Sequence, residues 1–166
     1  AVKEFVHENN LDKITHDVKR KKLGIVSTGK AWLDVCESLN ELGIDDELRK
    51  KFGISVYKVA MSWPLEPISI KKWATGFEEV LVIEEKRNVI EDQLARILYD
   101  IPSEFKPLLS GKKSSENKIL VPSHGELTSK ILSKVIFSRI NDQEKIQIKG
   151  NNPDKFDKRS VQKNEL

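Results

Sequence analysis

The side chains able to do chemistry gather in a few short stretches. Ser27-Thr28-Gly29 lies between the apolar run Leu23-Gly24-Ile25-Val26 and an amphipathic stretch. Hydroxyls and a glycine at such a junction could seat a phosphate or carboxylate on helix-terminal N–H groups. The plainer role, favoured here, is a helix cap by Ser27 or Thr28. Neither Gly-x-Gly-x-x-Gly nor Walker spacing is present, which argues against a dinucleotide site. Glu84-Glu85-Lys86-Arg87 places two consecutive carboxylates at a strand end. Consecutive strand residues point to opposite faces, so the pair is poorly arranged for joint acid–base work. Lys86 and Arg87 beside it favour an ion-pair network at a domain interface. Trp63, before Pro64, is either core or an anchor at a partner surface. His7, His16 and His124 have no metal-ligand spacing, and His124, in a Gly-containing turn, is the exposed imidazole. Cys36 shares an apolar stripe with Trp32, Val35, Leu39 and Leu42, which suits an inert packed thiol. No Ser–His–Asp arrangement can be assigned.

The elements that must position these groups follow from periodicity. Leu23–Val26, Ile54–Val59 and Glu79–Glu84 read as buried strands rich in β-branched residues. A helix follows each. The first carries the Trp32 stripe and stops at Gly43. A short helix capped by Asp45 runs to about Gly53. The next starts at Pro67, reaches about Gly76 and has Trp73 and Phe77 as inward anchors. The third spans about Val89 to Tyr99, with Ile90, Leu94, Ile97 and Leu98 on one face. Pro107–Lys112 is a candidate fourth strand, and a last helix capped by Thr128 uses Ile131, Leu132, Val135 and Ile136. Ala1–Asn10 fits a short helix, Leu11–Asp17 a short packed segment, and Lys19–Lys22 a solvated lead into the first strand. The alternation predicts a three-layer α/β/α domain with a mostly parallel sheet over residues 23–140. Residues 1–22 read as an N-terminal lead-in helix and linker, and 141–166 as a polar linker or tail. In such folds ligands bind outside the carboxyl ends of the strands. The candidate edge there comprises Thr28, Gly29, Trp63, Pro64, Glu84, Lys86, Arg87 and His124. No catalytic residue and no metal ligand is assigned.

The totals narrow the classes. The chain has 166 residues, enough for one domain with a core and too few for two ordinary ones. A formal net charge of +3 makes no electrostatic case for nucleic acid. No apolar run approaches the ~20 residues of a membrane span. A single cysteine rules out an internal disulfide, and also a cysteine-ligated iron–sulfur cluster built from this chain alone. The expected setting is cytoplasmic, with neither nucleic acid nor membrane as partner.

Several ordered strings resemble one family. LGIVSTGKAWLDV is similar to the first strand–turn–helix of the transketolase C-terminal-like domain in indolepyruvate ferredoxin oxidoreductases. VYKVAMSWPLEP resembles that domain's next strand and Pro-rich loop, and EEVLVIEEKRNVIEDQL its third strand and helix. LYDIPSEFKPLLSGKK and LVPSHGELTSKIL continue the likeness in order, over roughly Asn9 to Ile140. The resemblance is nearest to the large bacterial form with fused subunits.

The resemblance implies a parent enzyme that uses thiamine diphosphate, magnesium, iron–sulfur clusters and coenzyme A. That enzyme oxidatively decarboxylates an aryl 2-oxo acid to an acyl-CoA, with ferredoxin as electron acceptor. This chain lacks the cysteine set for clusters and the Gly-Asp-Gly…Asn metal–diphosphate motif. The expectation is therefore an excised domain with no cofactor of its own, inactive alone, structural and interdomain in role. Its partners are then the parent's other domains. Rival expectations are the equivalent domain of a pyruvate oxidoreductase or transketolase, or a free-standing module for a small anion, coenzyme A or a protein.

Overall fold

The computed structural model describes residues 1–151. The strands are β1 (Lys13–His16), β2 (Leu23–Thr28), β3 (Ile54–Val59), β4 (Glu79–Ile83) and β5 (Leu108–Ser110). They form one sheet in the order β1-β3-β2-β4-β5. β2 pairs in parallel with both β3 and β4, and β4 with β5, while β1 runs antiparallel along β3. From the central strand β2 the chain moves to one side for β3 and returns across β2 to β4. That reversal puts the switch in strand order between β2 and β4, the usual ligand crevice of such sheets.

The helices are α1 (Val2–Glu8), α2 (Gly29–Glu41), α3 (Asp46–Phe52), α4 (Pro67–Ala74), α5 (Val89–Ile97), α6 (Ser129–Arg139) and α7 (Asp142–Asn151). Alternation along the strands builds two cores. Ile25, Ile54, Val56, Leu81 and Ile83 face one way and pack on Val35 and Leu39 of α2, Phe52 of α3 and Leu132 and Ile136 of α6. Val26, Tyr57, Val59, Val80 and Val82 face the other way, onto Ile70 and Trp73 of α4 and Ile90 and Leu94 of α5. The result is the expected three-layer α/β/α arrangement. Asp45 accepts from Leu48 N as the cap of α3, which ends at Gly53 in the left-handed region, φ +70°. Gly53 also lies against the Arg20 carbonyl, leaving no room for a Cβ.

Among the elements, sequence and structure part at β1, at Lys21 and at α7. β1 falls where only a short packed segment was expected. Its Thr15 hydroxyl donates to Val56 O (3.2 Å), and Ser55 of β3 donates to His16 O (2.5 Å). Within the Lys19–Lys22 run, Lys21 is not a free solvated charge. Its Nζ donates to Trp73 O (2.7 Å) and Thr75 O (2.9 Å), closing the end of α4. Lastly, the polar composition after Asn141 is that of a linker, yet Asp142–Asn151 is helical. One fully buried residue, Ile148, and the Lys22–Glu144 pair at 3.5 Å tie that helix to the domain. The rest of the expected tail, 152–166, lies outside the described residues.

Cys36 on α2 is half-buried, and burial pushes its thiol up from the usual range. The expected consequence is slow chemistry. A thiol-reactive aromatic disulfide at pH 7.5 should modify Cys36 about tenfold more slowly in the folded chain than in urea. Equal rates would mean that the thiol is accessible and ionised.

Candidate functional site at the carboxyl edge of the sheet

Four connections meet at the carboxyl edge: 27–29 after β2, 60–66 after β3, 84–88 after β4 and the long strap 111–128 after β5. At the β2–β4 switch the hydroxyls act as latches. Ser27 Oγ donates to Ile83 O (2.8 Å) and Thr28 Oγ1 to Val59 O (2.8 Å), tying the central strand to both neighbours. The expected cap is therefore absent: Thr28 stands at the N-cap of α2 without a side-chain hydrogen bond to the helix. Gly29 adopts φ +53°, and a Cβ there would meet nothing within 4 Å. Backbone conformation rather than crowding is what calls for glycine.

Lys30, which the sequence reading passed over, is exposed and bridges the loops around the switch. Its Nζ lies 3.0 Å from Asp34 Oδ2, 3.1 Å from Glu126 Oε1 and 4.0 Å from Glu85 Oε1, and donates to Leu127 O at 3.2 Å. Hydrogen bonds that its ammonium donates to Asp34 and Glu126 hold it above the usual lysine range. One side chain thus joins α2, the β4 loop and the strap. The only sequence signal was a lysine directly after the strand–glycine turn.

Glu84 is placed differently from an exposed interface charge. Its side chain is 4% exposed. Oε2 accepts from Ile90 N (2.8 Å) and Oε1 from Glu91 N (3.0 Å), so Glu84 caps α5 from outside the helix. Asn88, at the formal N-cap, makes no such bond. Burial raises the Glu84 carboxyl above its ordinary range, against the two N–H donors and Lys112, which pull it down. Lys112 Nζ donates to the main-chain oxygens of Glu84 and Pro122, and burial lowers its ammonium. Glu91 Oε2 accepts from Lys112 N (3.0 Å) and sits where a Cβ on Gly111 would go. Lys112, also missed from sequence, clips the strap onto α5.

The remaining expected residues spread outward. Trp63 is 70% exposed, and the Trp63–Pro64 peptide bond is cis. Gln93 of α5 secures that loop by accepting from Leu65 N (2.8 Å) and donating to Ser62 O (2.8 Å). The exposed position favours the anchor reading of Trp63 over the core one. Lys86 (φ +51°), Arg87 and His124 are exposed, and neither Lys86 nor Arg87 makes an ion pair within 4 Å among the described residues. The expected network forms instead around Lys30. Among the described residues no three His, Cys, Asp or Glu side chains are grouped to hold a metal ion. No helix there is long and apolar enough to cross a membrane.

Chemically, the edge is a set of satisfied latches that fix four loops relative to one another. It presents Trp63, Lys86, Arg87 and His124 outward. The indolepyruvate oxidoreductase domain family matches residues 13–156. The indolepyruvate oxidoreductase subunit IorA of Methanothermobacter marburgensis is 25% identical over 96 residues, 58% of this chain. That of Thermococcus kodakarensis is 30% identical over 79 residues, 48% of this chain. The aligned parts are only 14% and 11% of those two relatives. A solved 2-oxoglutarate:ferredoxin oxidoreductase from Magnetococcus marinus, with 2-oxoglutarate, coenzyme A and succinyl-CoA bound, superposes with a TM-score of 0.52 at 14% identity. The match covers 82% of this chain and 22% of that one. A split gene transketolase, an inactive β4 tetramer, gives 0.51 at 14% identity, over 77% of this chain and 40% of that one. At such identities the two structures speak for the fold alone. The family match spans most of the chain, including every strand and the whole latched edge, and so the chain belongs to the indolepyruvate oxidoreductase domain family.

Proposed function

We propose that this chain serves as one domain of a larger thiamine-diphosphate-dependent 2-oxo acid:ferredoxin oxidoreductase of the indolepyruvate type. The parent oxidatively decarboxylates an aryl 2-oxo acid with coenzyme A, giving an acyl-CoA, carbon dioxide and reduced ferredoxin. It works in the cytoplasm. The domain's share is to hold neighbouring domains in register, and alone it is inactive. The observation that carries this reading is the family match over residues 13–156 in a chain that spans 14% or less of its curated relatives.

The edge chemistry supports the scaffold role. Thiamine diphosphate supplies an electron sink for decarboxylation when bound, and its diphosphate needs a magnesium ion held by oxygen ligands. The carboxylates at this edge do not fit that task. Glu84 is spent on two helix N–H groups, and Glu85 lies toward Lys30. The residues here would instead hold the Trp63 loop and the strap in fixed positions for a neighbour.

Calorimetric titration of the 166-residue chain tests this, first with thiamine diphosphate and magnesium, then with coenzyme A. No binding heat is expected from either. Micromolar thiamine diphosphate binding would overturn the scaffold reading. Binding of coenzyme A alone would turn the case toward an anion-binding module at the carboxyl edge.

A further inference from the structure

A large concavity lies away from this edge. It is an open groove of about 1410 Å³ along β1, between α1, α4 and the segment that leads into β2. Its setting is architectural: α4 and α5 cover the middle of their face of the sheet, and β1 is the antiparallel edge strand beyond β3. The floor is apolar. Ile14, 47% exposed, and Ile68, 59% exposed, line it together with the buried Val18 and Trp73.

The walls carry an excess of positive charge. Lys13, Lys19, Arg20, Lys50 and Lys72 line the groove, are exposed, and make no ion pair within 4 Å among the described residues. The three acids of the lining are already engaged. Asp12 accepts from Tyr57 OH (3.0 Å) and Ala60 N (2.8 Å), and Asp17 from Val18 N (2.9 Å). Glu66 is 1% exposed and accepts from Ile68 N (2.6 Å) and Ser69 N (2.8 Å). With six basic against three acidic side chains in its lining, the groove keeps an excess of positive charge around an apolar floor, which calls for an occupant with carboxylates outside and apolar side chains inside. The volume exceeds the ~300–1,000 Å³ of small-molecule pockets, which favours a polypeptide over a free anion.

We propose that the groove along β1 docks an acidic amphipathic segment of a neighbouring polypeptide. Its apolar side chains rest on Ile14 and Ile68, and its carboxylates pair with Lys13, Lys19, Arg20, Lys50 and Lys72. The source of the segment rests on the reading of this chain as one domain of a larger enzyme. Burial of such pairs fixes register and partner choice more than it adds raw affinity. The four basic residues ahead of β2 would then divide their work. Lys21 and Lys22 bond within the domain, while Lys19 and Arg20 face the partner.

The test is lysine footprinting. The natural protein, purified from its own cells under native conditions, is acetylated with acetic anhydride and compared by mass spectrometry with the isolated 166-residue chain. Lys13, Lys19, Lys50 and Lys72 should react at least about fivefold more slowly in the natural protein, while Lys3 should not change. Zero-length carbodiimide coupling should then join the same lysines to carboxylates of a single acidic segment outside residues 1–166. Equal acetylation rates in a large particle overturn the docking proposal and leave the parent-enzyme reading standing. A natural particle of about this chain's own mass, 19.0 kDa, overturns both. As a control, the combined K13E, K19E and K72E variant of the isolated chain should melt within a few degrees of the unaltered chain. The same changes in the natural protein should abolish the carbodiimide coupling, and coupling that persists would place the contact elsewhere.

Discussion

Replacing Trp73 by alanine should destabilise the domain by about 3–5 kcal/mol, the usual cost of deleting a buried tryptophan. For a domain whose whole stability is of order 5–15 kcal/mol, that brings the chain close to unfolding at 37 °C. Trp73 is 4% exposed and closes the α4-side core. Its ring stacks at a tilt between Tyr57 (5.1 Å) and Phe77 (5.0 Å), and its Nε1 donates to Ser55 Oγ at 3.0 Å. It also presses on the central strand: a Cβ added at Gly24 would lie 2.7 Å from Trp73 Cη2. Gly24 thus exists to let the indole approach β2. Two further variants separate the contributions. Trp73→Phe keeps much of the packing, loses the Ser55 bond, and should cost about 1–2 kcal/mol. Gly24→Ala overpacks the same spot and should cost about 1–3 kcal/mol, but much less when Trp73 is already alanine. Urea unfolding followed by far-ultraviolet circular dichroism measures all four. Additive losses would show that the ring and strand are not in contact, since touching residues couple.

The contrast between Trp73 and β1 explains what was legible in the sequence. Trp73 announced itself because α4 starts at a proline and puts its large side chains at helical spacing. β2, β3 and β4 are apolar runs buried on both faces, so burial and sequence agree there. β1 has no such signature. Lys13-Ile14-Thr15-His16 has a single apolar residue and becomes a strand because β3 offers it hydrogen bonds, a tertiary effect. α7 was hidden for a similar reason: Ile148 is its one residue in the buried core, and the rest of its hold is polar, through Glu144, Gln147 and the lysines over Phe137, which leaves no apolar stripe to read. The candidate edge was half legible. Loop positions follow from element order, and Thr28, Trp63 and Glu84 all lie at the carboxyl end of the sheet. What each side chain does there depends on partners far away in sequence. Thr28 turned to Val59 rather than its helix, and Lys30 gathered Asp34, Glu85 and Glu126 from three segments.

Glu84 is where that difference has measurable consequences. As an exposed charge it would contribute ~0–1 kcal/mol, and alanine at this position would go unnoticed. Buried with two amide donors, it should cost about 2 kcal/mol at pH 7 when removed, because Ile90 and Glu91 N–H groups lose their acceptors. Glu84→Gln keeps one side-chain oxygen and should recover roughly half. Arg87→Ala, at an exposed position beside it, should stay within about 0.5 kcal/mol. The pH dependence has a definite sign. The folded-state carboxyl titrates above its unfolded value of about 4.3. Between those two values the native state binds more protons, so Glu84 makes stability fall as pH rises through the window. Alanine lacks this slope. The gap between the unaltered chain and Glu84→Ala should therefore widen as pH is lowered from 7 toward 4.5. A gap that narrows on acidification would mean that the amide donors outweigh burial and hold the carboxyl below its usual range. The same substitution reports on the scaffold role, since freeing the start of α5 loosens 84–88, the loop that faces Lys30 across the β2–β4 switch. Hydrogen exchange at Ile90 and Glu91 should speed up in Glu84→Ala before the core strands lose protection. If exchange instead rises uniformly, the latched edge and the core are one cooperative unit, and the edge has no independent motion for a partner to restrain.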